Sequence, residues 1–359
     1  MNHPRRFVLL GLSRLLLLLF FAGCSTLRYY RQAAQGQSEI LDRARPVSRV
    51  LSDATVPETV KRKLQVSQEV RRFAREKWAL PVEGRYDRYT DLHRRYVTWV
   101  VFASPEFSVE GKSWWYPVVG KLEYRGYFSE AEAKAEARTL KAHGYDVYSG
   151  GVQAYSTLGW FHDPILNTFF ATTDAEFAEL LFHELTHVKV FIPGDTDFNE
   201  AFASANAELA TEHWLEARGD IRMAAEYRAS LAKDRQVIRL LLQTRGLLKR
   251  VYANTGTPPA ELRREKATAF ARMRQEYAEL SRRWTGKSRY DEAFAKPWNN
   301  ARLNTVATYY DLLPGFRRLF VENGNDPRRF YAAVAAMRSL SKEDRRARLE
   351  ALGAKELAR

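Results

Sequence analysis

The stretch from Leu181 to Val190, LFHELTHVKV, carries the most informative pattern in the chain. It places His183 and His187 four residues apart in an otherwise apolar run, with Glu184 directly after the first histidine. Residues i and i+4 share one face of an α-helix, so a helical stretch brings the two imidazoles together. Glu184 is rotated by about 100° from His183, which places its carboxylate beside the imidazoles. The pattern predicts either a metal site or a buried helix with two satisfied histidines.

The residues upstream of this stretch favour a helix, and the cost of burying its polar side chains favours a metal site. Thr173 followed by Glu176 is a capping-box pattern, so we predict that a helix begins at Asp174. Burying two imidazoles and a carboxylate without partners would cost on the order of several kcal/mol. In the H-E-x-x-H pattern, by contrast, the two imidazoles bind Zn²⁺ and the carboxylate acts as general base. We therefore predict one catalytic Zn²⁺.

A catalytic zinc ion needs a third protein ligand and an open fourth position. Pro193 stands where the metzincin pattern has its third histidine, and with Gly194 it should end the first helix. Asp197 has the position of a cap for a second helix, which would carry Glu200 back toward the histidines. We predict Glu200 as third ligand. Glu208 is the alternative ligand; otherwise we expect it to accept a hydrogen bond from a ligand histidine or to face solvent. A capping role is the alternative for Glu200.

The segment Asn199-Glu200-Ala201 resembles the N-E-A stretch of gluzincin zinc peptidases, which include thermolysin-like enzymes and zinc aminopeptidases. In that group the glutamate of this stretch is the third zinc ligand. Two features depart from the gluzincin pattern: the gap between His187 and Glu200 is shorter, and Ser204 replaces an acid.

Together with a lipobox, the stretches GWFHDPILNT, HELTHVKVF and DFNEAFAS resemble the "putative aminopeptidase" family of proteobacterial lipoproteins. The likeness covers most of the mature chain and implies a zinc aminopeptidase. The chain has no GxMEN-type stretch to supply carboxylates for a substrate amine, so an endopeptidase or a carboxypeptidase remains an alternative.

A peptide substrate needs a surface beside the helix. The segment AYSTLGWFHDP suits an edge strand with which a peptide could pair, so we predict that Trp160 and Phe161 bind substrate. A core position is the equal alternative for both. His162 and Asp163 are interpreted as turn residues.

Stabilising the oxyanion requires a hydrogen-bond donor. If Asn299 caps a helix, Arg302, Thr305 and Tyr309 share one face of it. Tyr309 could then donate to the tetrahedral intermediate, as the resemblance to zinc aminopeptidases implies. An ordinary core or surface position is the alternative for Tyr309.

The N-terminus has the features of an export signal. MNHPRR precedes an apolar stretch that is too short and interrupted for a comfortable membrane span. FAGCST then contains Cys24, the only cysteine, so a disulfide within the chain is excluded. This arrangement resembles the lipobox of bacterial lipoproteins, which implies a signal peptide at 1–23 and a lipid on Cys24. Ser25 implies the outer membrane, facing the periplasm; a free cysteine after a plain signal peptide is the alternative.

Composition is that of a globular protein, with 45% hydrophobic and 28% charged residues among 359. The 57 Lys and Arg residues against 43 Asp and Glu give a formal charge of +14. Basic residues alternate with acids at helical spacing, which is typical of solvated helix faces. Attraction to an anionic membrane is the alternative. We predict no nucleic-acid partner, because no recognised motif accompanies the charge.

The order of patterns predicts a predominantly helical α+β fold. We expect residues 24–359 to form one peptidase unit, with a helical part at 24–92, a small mixed α/β part at 93–170 and a helical zinc-binding part at 171–359. In the last part, two apolar stripes separated by NTGTPP predict a long antiparallel helix hairpin.

Within the α/β part, β-branched and aromatic runs predict strands at 96–105 and 145–156, and one or two more at 114–128. Ser129 should cap a helix at 129–144.

These features favour an exported, lipid-anchored zinc metallopeptidase that acts on peptides. Two other classes would fit parts of the sequence: an idle lipoprotein that keeps zinc for structure, and an envelope-tethered binding module.

Overall fold

The computed structural model describes residues 26–116, 120–154 and 162–357. Cys24 and the signal segment, as well as Trp160 and Phe161, lie outside the described residues. The described chain is a predominantly helical α+β fold with small sheets, as predicted. No described helix is both long enough and apolar enough to cross a membrane.

The helices account for most of the described chain. In order they are α1 (26–42), α2 (Val47–Ser52), α3 (Glu58–Glu76), α4 (Glu130–Ala142), α5 (Asp174–Lys189), α6 (Thr196–Arg218), α7 (Ile221–Ala253), α8 (Pro259–Ser281), α9 (Asp291–Phe294), α10 (Asn300–Tyr310), α11 (Leu313–Glu322), α12 (Pro327–Ala336) and α13 (Lys342–Leu357). Short 3₁₀ helices occupy Asn167–Ala171 and Met337–Ser339.

The strands form three small sheets. They are β1 (Arg45–Pro46), β2 (Arg88–Thr90), β3 (Thr98–Pro105), β4 (Trp114–Tyr116), β5 (Gly120–Leu122), β6 (Arg125–Tyr127), β7 (Tyr145–Val152) and β8 (Ile165–Leu166). The sheet orders are β1-β2-β8, β6-β3-β7 and β4-β5. Among the strand pairs of the described residues, only β2–β8 is parallel.

The β6-β3-β7 sheet and α4 form the predicted α/β part. β3 pairs antiparallel with β7 from Thr98↔Val152 to Pro105↔Tyr145. Ser129 caps α4 by accepting a hydrogen bond from the Glu132 amide. The described residues of 114–128 contain three strands, one more than the sequence suggested, because a β4–β5 pair precedes β6.

The α5–α6 pair lies in the largest hydrophobic core of the described chain. Its buried side chains come from both ends of the sequence, from Ile40 in α1 to Leu352 in α13. Phe182 of α5 and Phe202 of α6 are fully buried there. Helices at this depth are held by apolar contacts on several sides, which fixes the direction of their polar side chains.

The predicted helix hairpin is α7 and α8. Their apolar stripes meet in a separate core, where Val237, Leu241 and Leu248 of α7 pack near Met273 and Tyr277 of α8. α10 adds Leu303 and Val306 to the same core. This places α10 between the helix hairpin and α6, a position that matters for the site.

Candidate metal centre

Helix α5 begins where the capping box predicted. Thr173 Oγ1 accepts a hydrogen bond from the Glu176 amide, and Glu176 accepts one from the Thr173 amide. Asp174, the first helical residue, pairs with Lys63 (2.8 Å) and Arg62 (3.0 Å) of α3. Burial raises the pKa of this carboxyl, but the two cations outweigh it and leave the pKa below its usual value. α5 is therefore anchored at its first turn.

Helix α6 begins two residues earlier than an N-cap at Asp197 predicted, and that prediction was wrong. The N-cap position belongs to Asp195, whose side chain makes no capping hydrogen bond. Its carboxylate instead contacts Arg345 of α13 at 2.8 Å. Asp197 lies in the first turn of α6.

Asn199 stabilises the turn between α5 and α6. Its side chain accepts a hydrogen bond from the Ile192 amide and donates one to the Ile192 carbonyl, each at 2.8 Å. Asn199 is buried, so this two-point contact is protected from water. The next residue, Glu200, is thereby held against α5.

His183, His187 and Glu200 bring their polar atoms to one point. The two Nε2 atoms lie 3.1 Å apart, and Glu200 Oε2 is 3.2 Å from His183 Nε2 and 3.5 Å from His187 Nε2. Among the described residues, this is the group of His, Cys, Asp and Glu side chains whose geometry could hold a metal ion.

The three side chains fit a zinc ion. Two ligand atoms on a tetrahedral ion with bonds of ~2.0–2.1 Å are about 3.3 Å apart, which matches the observed separations. Two imidazole lone pairs facing each other would repel, so the close Nε2 atoms need a shared proton or a cation. His187 Nδ1 is buried and has no hydrogen-bond partner among the described residues. Two nitrogens and one carboxylate oxygen are a donor set that zinc accepts.

The charges of the three groups are coupled. Burial favours the neutral form of His187, but the Glu200 carboxylate outweighs it and raises the pKa of the imidazole. Burial also raises the pKa of Glu200, but the two histidines lower it well below its usual range. Glu200 is therefore an ionised carboxylate.

Glu184 is buried beside the three candidate ligands but is not one of them. Burial raises the pKa of its carboxyl, while His183 and His187 act in the opposite direction. A carboxylate with a raised pKa that faces two imidazoles without ligating is suited to accept a proton.

Comparison with known protein families shows to which family the chain belongs. A family model described as "Putative aminopeptidase" matches residues 28–349. The chain belongs to this family. No curated protein and no solved structure matches the chain.

In this family member, Tyr309 of α10 reaches the cluster. Asn299 Oδ1 accepts a hydrogen bond from the Arg302 amide, so the predicted cap is present. The ring centroid of Tyr309 lies 6.3 Å from that of His183. The Glu200 carboxylate, together with burial, raises the pKa of Tyr309 well above its usual value. Its hydroxyl therefore stays protonated and can donate.

Glu208 has none of the three roles expected for it. We expected a substitute ligand, a hydrogen bond to a ligand histidine, or exposure to solvent. The side chain is buried and contacts Arg317 at 2.9 Å and Arg235 at 3.6 Å. It lies two helical turns beyond Glu200, and the arginines on α7 and α11 draw it away from the histidines.

Asp163 was interpreted as a turn residue, but it is buried and acts electrostatically on Glu184. Its main-chain carbonyl accepts a hydrogen bond from the Tyr86 amide. His162 is exposed. The apolar neighbours of Asp163, in FHDPIL, were the signal for its burial.

Proposed function

We propose that this aminopeptidase family member is a zinc-dependent peptidase that is exported and anchored by a lipid on Cys24. The observation that carries the proposal is the convergence of His183, His187 and Glu200, with Glu184 buried beside them. Zinc held there would supply Lewis acidity toward water and toward a peptide carbonyl.

The residues around the cluster provide the proton transfers. Glu184 would take a proton from the attacking water onto a carboxylate oxygen as the water oxygen bonds to the carbonyl carbon. It would then give this proton to the leaving nitrogen as the carbon–nitrogen bond breaks. The leaving nitrogen thus receives the proton that the water lost, and Glu184 returns to its ionised form.

Tyr309 would stabilise the oxygen of the tetrahedral intermediate. Its hydroxyl stays protonated beside the site, and a donor aimed at a developing oxyanion lowers the barrier more than one aimed at the substrate. A site that held zinc only for structure would have no use for a general base and a donor around the ion. This arrangement favours a catalytic role over a structural one.

Aminopeptidase specificity is supported by the family to which the chain belongs. We further propose that Cys24 is the first residue of the mature protein and that its lipid holds the enzyme on the periplasmic face of the outer membrane. The support for this is the sequence FAGCST behind an apolar segment.

The test is a peptide-library digest with the purified, zinc-loaded protein. We expect residues to be released from free N-termini, a chelator to stop the release, and added Zn²⁺ to restore it. Absence of hydrolysis by folded protein with stoichiometric zinc would overturn the proposal.

A further inference from the structure

Helix α1 begins directly after the proposed site of lipid attachment. Two residues of chain separate Cys24 from Thr26, the first residue of the described chain. An extended chain spans at most about 3.6 Å per residue, so the start of α1 lies within about 7 Å of Cys24. A lipid on Cys24 that inserts in a bilayer therefore brings the start of α1 to the membrane surface, with no linker between them.

Helix α1 is fixed against the α/β part of the protein. The Phe128 amide donates a hydrogen bond to Gln32 of α1 at 2.7 Å. A Cβ at Gly36 of α1 would overlap the ring of Phe128, so this contact requires glycine. Nearer the N-terminus, Arg28 pairs with Glu132 of α4 at 2.9 Å. Because α1 is held in this way, whatever brings its first turn to a membrane brings the α/β part there as well.

The first turn of α1 also contacts the β4–β5 pair. The ring centroid of Tyr29 lies 6.1 Å from that of Tyr116 in β4 and 5.5 Å from that of Tyr127 in β6. The Arg125 guanidinium lies over the Tyr29 ring, 4.1 Å from its centroid. The start of α1 and strand β4 therefore lie together at one end of the α/β part, the end next to Cys24.

This end carries most of the exposed large apolar side chains. Five such side chains are exposed in the described chain, and three of them lie here: Leu27 is 71% exposed, Tyr30 42% and Trp115 68%. The neighbours of Trp115 in β4, Trp114 and Tyr116, make contacts inside the α/β part, so alternation along the strand turns Trp115 outward. Single exposed apolar residues are ordinary, but a group of them indicates a surface that something covers.

Exposed cations accompany these side chains. Lys121 lies directly across from Trp115 in the antiparallel β4–β5 pair, and both are exposed on the same face. Arg31 follows Tyr30 in α1 and is also exposed. Neither Lys121 nor Arg31 forms an ion pair with a described residue. Tryptophan and tyrosine favour the headgroup region of a bilayer, and basic side chains are attracted to anionic lipids there.

We propose that this end of the α/β part docks on the phospholipid bilayer that holds the Cys24 lipid. The docking surface consists of Leu27, Tyr30, Arg31, Trp115 and Lys121. The inference rests on the lipid attachment in the proposed function and adds a second membrane contact to it. A lipid alone leaves the protein free to turn about its attachment point, whereas a docked surface fixes which side faces the membrane. Asn299, the cap of α10, donates a hydrogen bond to Val147 in β7, so docking also orients the helix that carries Tyr309.

The test uses the full lipid-anchored protein in vesicles of phosphatidylethanolamine and phosphatidylglycerol. Cys24 is the only cysteine and its sulfur would carry the lipid, so Trp115→Cys or Leu27→Cys can be labelled alone with a fluorophore. Part of the vesicle lipid carries a nitroxide quencher at the top of its acyl chains. Docked side chains lie about 5–10 Å deep, at the level of the quencher, so we expect fluorescence at both positions to fall about twofold or more.

The label at Ile221→Cys is the matched control, because Ile221 is an equally apolar and even more exposed position, at 81%. Arg245 of α7 contacts Glu110, beside β4, at 3.7 Å. Ile221 precedes Arg245 by about 36 Å along the axis of α7, far from the docking surface. The control label should stay unquenched, and equal quenching at all three positions would overturn the docking surface.

Flotation of the vesicles separates the ways in which the proposal can fail. Protein that floats with the vesicles but is unquenched at positions 115 and 27 would overturn the docking surface and leave the lipid anchor standing. Labels that are shielded from aqueous iodide but not quenched by the nitroxide lipid would also overturn it, because a second copy or another protein would then cover the surface. Protein that does not float would overturn the anchor and the docking surface together, while the peptide digest tests the peptidase separately.

Discussion

The Glu184 carboxylate is buried beside the candidate ligands and is not among them, and we propose it as the general base. Replacing it by glutamine keeps the shape and removes the proton acceptor. We expect Glu184→Gln to lower kcat by about 10²–10⁴-fold and to leave the zinc content unchanged. Initial rates and metal analysis on one preparation measure both. Full turnover in the variant would contradict the role of Glu184 as general base, and no turnover in parent or variant would favour the idle lipoprotein with a structural zinc.

Glu179 should lower stability at alkaline pH. Its unfolded pKa is near the ordinary value of 4.5, and burial raises the folded pKa to about 7. Its contribution to stability is therefore complete below the unfolded pKa and is lost as the pH rises through the folded pKa. The charged groups that act on it are Arg289, Glu208 and Asp234, with Tyr227 as hydrogen-bond donor.

We expect the neutral Glu179→Gln protein to match the parent at pH 4 and to exceed it at pH 8.5, by up to about 3 kcal/mol. Urea unfolding at the two pH values measures this difference, with Glu226→Gln as the control for an exposed acid. A parent that is more stable than the variant at pH 8.5 would contradict the raised pKa of Glu179.

The sequence predicted the residues whose positions follow from helix geometry. His183, Glu184 and His187 needed only a spacing of four, and Glu200 was supported by the resemblance of its N-E-A segment. Glu179 and Asp163 could not be found this way. Their burial and the charges around them depend on residues from other parts of the chain, which the local sequence does not show.

The turn between α5 and α6 sets the position of the third candidate ligand. Asn199 bonds both polar main-chain groups of Ile192 from a buried position. Asn199→Ala would leave these groups without partners, at a cost of about 1–3 kcal/mol. Since Glu200 is the next residue, we expect zinc affinity to fall by about 10–100-fold.

A competition titration with a coloured chelator measures this affinity. Asn323→Ala is the matched control, because Asn323 also donates from its side chain to a main-chain carbonyl, in α11. The control should lose stability and keep its zinc affinity. Equal affinities for Asn199→Ala and the parent would show that the turn does not position Glu200.

Helix starts were predictable where the N-cap side chain accepts a hydrogen bond from the first turn of its own helix. Thr173, Ser129 and Asn299 all cap as expected. Asp197 was wrongly predicted as the N-cap of α6. The actual N-cap is Asp195, and its carboxylate pairs with Arg345, from the far end of the sequence, instead of capping the helix. The sheet β1-β2-β8 was missed because strands of two or three residues are too short to show a period of two.

On the support of the sequence FAGCST behind an apolar segment, we propose that a lipid on Cys24 holds the whole protein at the membrane. We predict that Cys24→Ala moves the protein from the membrane fraction to the periplasmic fraction. Ser25→Ala is the matched control and should remain in the outer membrane. Immunoblots of fractionated cells provide the measurement, and a membrane-bound Cys24→Ala protein would contradict lipid attachment.

The fold class could be predicted because long amphipathic helices are recognisable from the local sequence pattern, as α7 and α8 were. The joint core of α1, α5, α6 and α13 could not, because it gathers residues more than 300 positions apart in the sequence, such as Ile40 and Leu352, into one cluster. Amphipathic patterns show which face is buried, but they do not identify the partner.

The zinc content of the purified protein tests the central claim most directly. We predict one zinc ion per chain by plasma mass spectrometry in the parent and in Glu216→Ala, an exposed acid on α6. Glu200→Ala, on the same helix, should lose most of the metal while remaining folded by circular dichroism. Folded parent protein without stoichiometric metal, or full zinc in Glu200→Ala, would contradict a site formed by His183, His187 and Glu200.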